Sequence, residues 1–140
     1  MDTQVKPAAD TDRIRLLLVD DDVNLLETLS RLLYRRGYIV TPATGGNEAL
    51  AILRENHKTF DIVLTDYSMP IINGFELALM IWELLPDIPI ILHTGKIDLV
   101  DERQIAKAGV AEIIIKPYKV NDLDKIIKKV IGETEGKNRD

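Results

Sequence analysis

The sequence predicts an α/β domain built on one doubly wound parallel sheet. Short apolar runs alternate five times with segments of helical spacing, the pattern of repeated βα units. The runs are near-continuous in apolar residues rather than alternating, which means strands buried on both faces. Length and composition restrict the answer to one such unit. At 140 residues the chain is the size of a single domain, and 46% hydrophobic against 29% charged residues is enough for one core.

The elements follow in order. A first strand covers residues 14–19. The first helix carries a stripe of Leu25, Leu29 and Leu32, joined by Leu26 and Leu33, and Gly37 stops it. The second strand, 38–43, contains Pro42. Proline cannot donate to a ladder, so this strand belongs at an edge. That agrees with the strand order 2-1-3-4-5, one of the two common doubly wound orders. Ala49, Leu50 and Leu53 make the second helix, and residues 62–65 the third strand. Phe75, Ala78, Leu79, Trp82 and Leu85 give the third helix its stripe, which ends before Pro86. A fourth strand spans 88–93. The fourth helix, 98–108, is the weakest amphipath and is closed by Gly109. Residues 113–115 form the fifth strand. Val120, Leu123, Ile126, Ile127, Val130 and Ile131 form the fifth and cleanest helix. Right-handed crossovers put helices on both faces. The domain is expected over residues 13–132. Residues 1–12 and 133–140 are polar and lack periodicity, and are read as disordered tails.

Several function classes fall away. The net charge of -5 gives no electrostatic case for a nucleic-acid partner. The chain has no cysteine, which excludes disulfide scaffolds, thiolate zinc sites and cysteine nucleophiles. No stretch approaches the roughly 20 apolar residues that span a bilayer, and the N-terminus has no apolar signal core. A cytoplasmic protein without membrane insertion is the default expectation.

In doubly wound sheets, ligands bind outside the carboxyl ends of the strands, at the point where the order reverses. The first strand ends in Asp20-Asp21-Asp22, the third in Asp66, the fourth in Thr94 and the fifth in Lys116-Pro117. One aspartate, Asp22 or Asp21, is explained as the cap of the first helix. Three in a row facing a fourth are not, because like charges this close raise one another's pKa. A divalent cation removes the repulsion. Oxygen ligands without His or Cys favour Mg²⁺. A carboxylate beside such an ion can attack phosphorus. Asp66 is the candidate, set in the tight loop Asp66-Tyr67-Ser68-Met69-Pro70 that leads to Gly74. Lys116 supplies a point charge for a phosphoryl oxygen and Thr94 a hydroxyl donor.

Together these motifs resemble the receiver domains of two-component response regulators, over about residues 13–132. The ordered set is Leu-Leu-Leu-Val-Asp20-Asp21-Asp22, then Asp66-Tyr-Ser-Met69-Pro70-Ile-Ile-Asn-Gly74, then Thr94-Gly95, then Lys116-Pro117. The resemblance implies a flavodoxin-like (βα)5 fold of the chemotaxis-receiver type. It implies that Asp66 accepts a phosphoryl group from a phosphohistidine on a sensor kinase or phosphotransfer protein. Asp20 and Asp21 become the acidic pair, and the Ser68 carbonyl joins Asp66 in holding Mg²⁺. Thr94 and Lys116 become the phosphoryl contacts, and Lys116–Pro117 is expected to be cis. Ser68 and Lys96 would flank the path of the water that removes the group. Such a domain is a switch and no enzyme beyond its own phosphorylation and dephosphorylation, a monomer or weak dimer. The segment Lys-Pro…Lys-Lys-Val-Ile near the end resembles receivers attached to hybrid sensor kinases. One position departs from the family: where it carries Tyr or Phe, three residues before the lysine, this chain has Ile113. Without a ring to swing, the signal is expected to travel through residues 95–108 to a surface of the fourth helix, fifth strand and fifth helix.

Two rivals bear weighing. A Mg²⁺-dependent phosphohydrolase of the haloacid dehalogenase type resembles Asp-x-Asp-x-Thr/Val after the first strand. Asp20-Asp21-Asp22-Val23-Asn24 fails that pattern at Asn24, and the chain is short for a cap domain. A receiver-like binding module that is never phosphorylated conflicts with the completeness of the site. His57 and His93 have no partner histidine at metal-ligand spacing and are set aside. Trp82 is assigned to core packing, and Lys125, Lys128 and Lys129 to a solvated helix face.

Overall fold

A computed structural model of the chain describes residues 13–56, 59–95 and 101–139. The elements run β1 (Arg15–Val19), α1 (Val23–Arg35), β2 (Ile39–Ala43), α2 (Gly46–Asn56), β3 (Ile62–Asp66), α3 (Gly74–Leu84), β4 (Ile90–Thr94), α4 (Glu102–Lys107), β5 (Val110–Ile115) and α5 (Val120–Arg139). All strand pairs are parallel, in the order β2-β1-β3-β4-β5, with the Pro42 strand at an edge.

The near-continuous apolar runs are explained by two cores, one on each face. Leu17, Val19 and Val63 point into a core with Leu50 and Leu53 of α2 and Leu77 and Ile81 of α3. Leu16, Leu18, Ile62, Leu64 and Ile91 point the other way, onto Leu26, Leu29 and Leu33 of α1 and Leu123, Ile127 and Val130 of α5. Neighbours along a strand thus serve opposite cores, as the two-residue period of a strand requires.

Asp22 caps α1 by accepting from the Leu25 N–H, as the sequence allowed. Asn73 and Glu76 form a reciprocal capping box at the start of α3. Asp124 holds α5 to the α1–β2 turn: the Tyr38 hydroxyl donates to it at 2.5 Å, and Lys128 donates from one turn on at 3.2 Å.

Several expectations are corrected. The buried stripe of α1 is Leu26, Leu29 and Leu33, while Leu32 is exposed. In α3 the buried residues are Leu77, Ala78 and Ile81, and Leu79 faces out. A helix that is apolar all round hides its true stripe from periodicity. Trp82 is 43% exposed rather than a core residue, and its ring covers Gly109. β5 begins at Val110 rather than 113: Glu112 interrupts the apolar run yet pairs with Ile91, and a register shift between Ile90 and Ile91 leaves Ala111 as the extra residue. α5 does not stop at Ile131, and the tail expected to be disordered from residue 133 is helical to Arg139. Gly132 and Gly136 each cost a helix about 1 kcal/mol, while Glu133, Glu135, Lys137 and Arg139 are good helix formers. The expected tail at 1–12, His57, Lys96 and the start of the expected fourth helix lie outside the described residues.

Candidate functional site

Strand alternation assembles the site. Asp20, Asp66, His93 and Lys116 each lie two residues beyond a residue of the α1/α5 core: Leu18, Leu64, Ile91 and Ile114. Four neighbouring strand ends therefore present these side chains with one parity. Thr94 has the opposite parity and is buried at the tip of β4, where its carbonyl accepts the Lys116 N–H at 2.8 Å.

One ammonium ties the centre together. Lys116 Nζ lies 3.2 Å from Asp20 Oδ2 and 3.2 Å from Asp66 Oδ1. Both carboxylates are buried, whereas the lysine side chain retains 26% exposure and so faces the solvent side of the site. Asp20 Oδ1 accepts the Asp22 N–H at 2.9 Å. The Lys116–Pro117 peptide is cis, as the resemblance implied.

The charges settle unequally. Burial pushes the Asp66 carboxyl above its ordinary range, and the Asp20 charge adds to this against the opposing pull of Lys116. Burial works on Asp20 too, but His93, the Asp22 N–H and Lys116 together hold its carboxyl below the ordinary value. For Lys116 the cost of burial is outweighed by the two carboxylates, so its ammonium is held more firmly than usual. The site thus has an excess of negative charge that one lysine does not fully offset, which is the environment in which a divalent cation binds.

The sequence-derived candidates are not all placed alike. Asp20, Asp66 and Lys116 converge, with Thr94 beside them. Asp21 is exposed, next to the pair, and Ser68 is exposed in the loop after β3. His93, which had been set aside, is inside. Ligand atoms of Asp20, Asp66 and His93 lie within 4.8 Å of one another. His93 is fully buried, with Nε2 3.3 Å from Asp20 Oδ2 and Nδ1 2.6 Å from the Tyr118 hydroxyl. Beside Lys116, an apolar groove opens between α1 and the β5–α5 loop, lined by Leu25, Leu29, Leu32, Pro117, Tyr118 and Val120. Lys128 and Lys129 are solvated, as expected, though Lys129 also reaches Glu112 at 3.2 Å.

Comparison with known proteins shows the family. A family profile described as the response regulator receiver domain matches residues 16–128. The two-component response regulator ARR10 of Arabidopsis thaliana is 34% identical over 122 residues, 87% of this chain and 22% of that protein. The transcriptional regulatory protein ZraR of Salmonella typhimurium is 36% identical over 122 residues, 87% of this chain and 27% of that protein. The chain thus spans only about a fifth to a quarter of these relatives. Among solved structures, a CheY-like receiver domain protein from Methanospirillum hungatei superposes with TM-score 0.83 at 32% identity, covering 90% of this chain and 99% of that one. The response regulator TrrA of Thermotoga maritima, solved in complex with Mg²⁺ and BeF, gives TM-score 0.75 at 32% identity, covering 84% and 98%. Neither the phosphohydrolase nor the never-phosphorylated module finds support in these matches. Among the described residues, no helix is long and apolar enough to cross a membrane.

Proposed function

The chain belongs to the response regulator receiver domain family, and on that premise we propose that it accepts a phosphoryl group on Asp66. The observation that carries this reading is the single ammonium of Lys116 bridging Asp20 and Asp66 at 3.2 Å each. A buried carboxylate with a partly exposed ammonium beside it is a nucleophile whose counter-charge is already in place. Phosphoryl transfer asks mainly for positioning and charge neutralisation.

In the proposed step an Asp66 oxygen attacks the phosphorus of a phosphohistidine. The new P–O bond forms as the P–N bond breaks, and the bonding pair leaves on the donor's imidazole nitrogen. Lys116 follows the negative charge onto a phosphoryl oxygen, and the Thr94 hydroxyl donates to another. A divalent cation fits the donor set. Asp20, Asp21, Asp66 and, by the family pattern, the Ser68 carbonyl offer only hard oxygen ligands, and the Asp66 carboxyl, raised by burial and then by the Asp20 charge, gains from a cation beside it. When bound, Mg²⁺ neutralises charge on the aspartates and on the transferred group. By the family resemblance, Ser68 and Lys96 govern how long the phosphoryl group survives. The domain turns over nothing but its own phosphoryl group.

The donor is a sensor kinase or phosphotransfer protein. The apolar groove beside Lys116 suits a helix that carries the phosphohistidine, since it would bring that residue to the rim of the site. Output runs to an effector through α4, β5 and α5.

The test is phosphorylation by acetyl phosphate with Mg²⁺, read by intact-mass spectrometry. Wild type should gain one base-labile phosphoryl group, and Asp66→Asn should gain none. Phosphorylation of the variant at the wild-type rate would overturn the assignment.

A further inference from the structure

We propose that His93 and Tyr118 position Asp20 for phosphoryl transfer, and that this pair passes the state of Asp66 to the groove between α1 and the β5–α5 loop. The inference rests on the reading of Asp66 as phosphoacceptor and goes beyond it.

Asp20 is held from three sides. Its Oδ1 accepts the Asp22 N–H, and its Oδ2 faces both Lys116 Nζ at 3.2 Å and His93 Nε2 at 3.3 Å. The imidazole is fully buried, and its Nδ1 is 2.6 Å from the Tyr118 hydroxyl. These partners decide the tautomer. With the Tyr118 O–H donating to Nδ1, the ring proton sits on Nε2 and faces the carboxylate. The reverse arrangement would aim a lone pair at a carboxylate oxygen. Tyr118 therefore fixes the ring, and the ring helps to fix Asp20. This is the logic by which an outer partner orients a group at a metal or catalytic centre.

The His93–Asp20 contact is at ion-pair distance but lacks hydrogen-bond alignment, and Nε2 has no other partner. Lys116 occupies the same carboxylate oxygen. When Lys116 moves onto a phosphoryl oxygen, and with Asp20 a ligand of any bound cation, the partners of Asp20 Oδ2 change while the Nε2–H remains the buried donor next to it. A buried N–H beside a carboxylate whose other partners have changed reorients with it. Such a turn moves Nδ1 and with it the Tyr118 hydroxyl. Tyr118 stands two residues after Lys116 and lines the groove with Leu25, Leu29 and Val120. Ile113 has no ring to perform the family's readout, while Tyr118 is an aromatic side chain already wired to the acidic pair.

The chain has two histidines, so its imidazole ¹⁵N spectrum is simple. The experiment follows those nitrogens in the full chain as Mg²⁺ and beryllofluoride are added, with ¹⁹F signals reporting occupancy at Asp66. The expected result is one histidine with its proton on Nε2, both of whose nitrogens shift on binding. Tyr118→Phe should abolish the fixed tautomer while ¹⁹F still reports a bound group. His93→Leu should slow transfer from acetyl phosphate at saturating Mg²⁺ by about tenfold, the effect of losing the one hydrogen bond to Asp20 that forms as Lys116 departs. His93→Gln, which restores an N–H donor, should recover most of that rate; a structural defect would not be rescued this way. Beryllofluoride bound with both histidines silent overturns the inference and leaves the phosphoacceptor reading intact. Wild-type transfer rates in His93→Leu also overturn it. A wild type that binds no beryllofluoride overturns the phosphoacceptor reading, and this inference with it. The nitrogen shifts are read on wild type and do not depend on any variant folding.

Discussion

Replacing Gly74 with alanine tests how closely the position of Asp66 depends on the helix that follows it. Gly74 opens α3, and its N–H donates to the Tyr67 carbonyl at 2.8 Å. A Cβ at this position would stand 2.4 Å from the Asp66 carbonyl oxygen, 2.6 Å from Leu92 Cδ1 and 2.8 Å from Tyr67 Cα. Ordinary contact begins near 3.4 Å, so the Asp66 backbone and the start of α3 must separate by 3.4 − 2.4, or 1.0 Å. Two of the three obstacles are backbone atoms, and rotation of a side chain relieves only the Leu92 contact. Overpacking of this kind costs about 1–3 kcal/mol of stability. The functional loss should be larger, because displacing a reacting group by about 1 Å costs on the order of 100-fold in rate. Urea denaturation should therefore show a loss of about 2 kcal/mol, while the acetyl phosphate reaction slows on the order of 100-fold. Gly45→Ala is the control: no atom lies within 4 Å of its added Cβ, so stability should stay within about 0.5 kcal/mol. A Gly74→Ala protein with wild-type stability and wild-type phosphorylation would refute the claim that this contact sets the position of Asp66.

Asp21→Ala should weaken Mg²⁺ binding sharply, measured by titration calorimetry, yet be at least as stable as wild type without metal, since it removes repulsion from the acidic cluster. Asp66→Asn should be more stable than metal-free wild type at pH 7. The folded Asp66 carboxyl lies above its unfolded value, so the folded state binds more protons between the two and stability falls as pH rises through that window. The advantage of Asn should shrink as pH is lowered through the raised carboxyl; Asp20 acts in the opposite sense, its contribution being lost only at lower pH. Tyr38→Phe should cost about 1–2 kcal/mol in thermal or urea unfolding, because it strips from Asp124 the hydroxyl that ties the α1–β2 turn to α5.

The strand ends were legible because a parallel sheet leaves few bland reasons for Asp20, Asp66, Thr94 and Lys116 to follow apolar runs. The edge position of β2 was legible from Pro42 alone. His93 was passed over because it was tested for a partner histidine at ligand spacing, whereas its partners are a carboxylate 73 positions earlier and a tyrosine 25 positions later. Strand parity would have found it: counting from Leu16 and Leu18 on one strand and Ile91 on another puts Asp20 and His93 on the same face. The outward turn of Trp82 was illegible, since α3 is apolar around most of its circumference and only the bare backbone of Gly109 decides where the indole rests. The C-terminal turns of α5 were missed because a polar, uncapped extension carries no periodicity to read.

Pro42 has a consequence for how copies of this domain meet. The Ile39 N–H points inward to the Ile14 carbonyl, and the Ala43 carbonyl accepts inward from Asp20, so odd-numbered residues of β2 face β1 and even-numbered ones face out. The missing N–H of Pro42 therefore falls on the free rim of the sheet, at the fourth position of a five-residue strand. At the opposite rim, β5 is kinked by its register shift. Neither rim offers a straight, uninterrupted row of donors and acceptors for strand addition. A sheet that cannot be extended sideways leaves its helices, rather than its strand edges, as the surface on which another copy could settle.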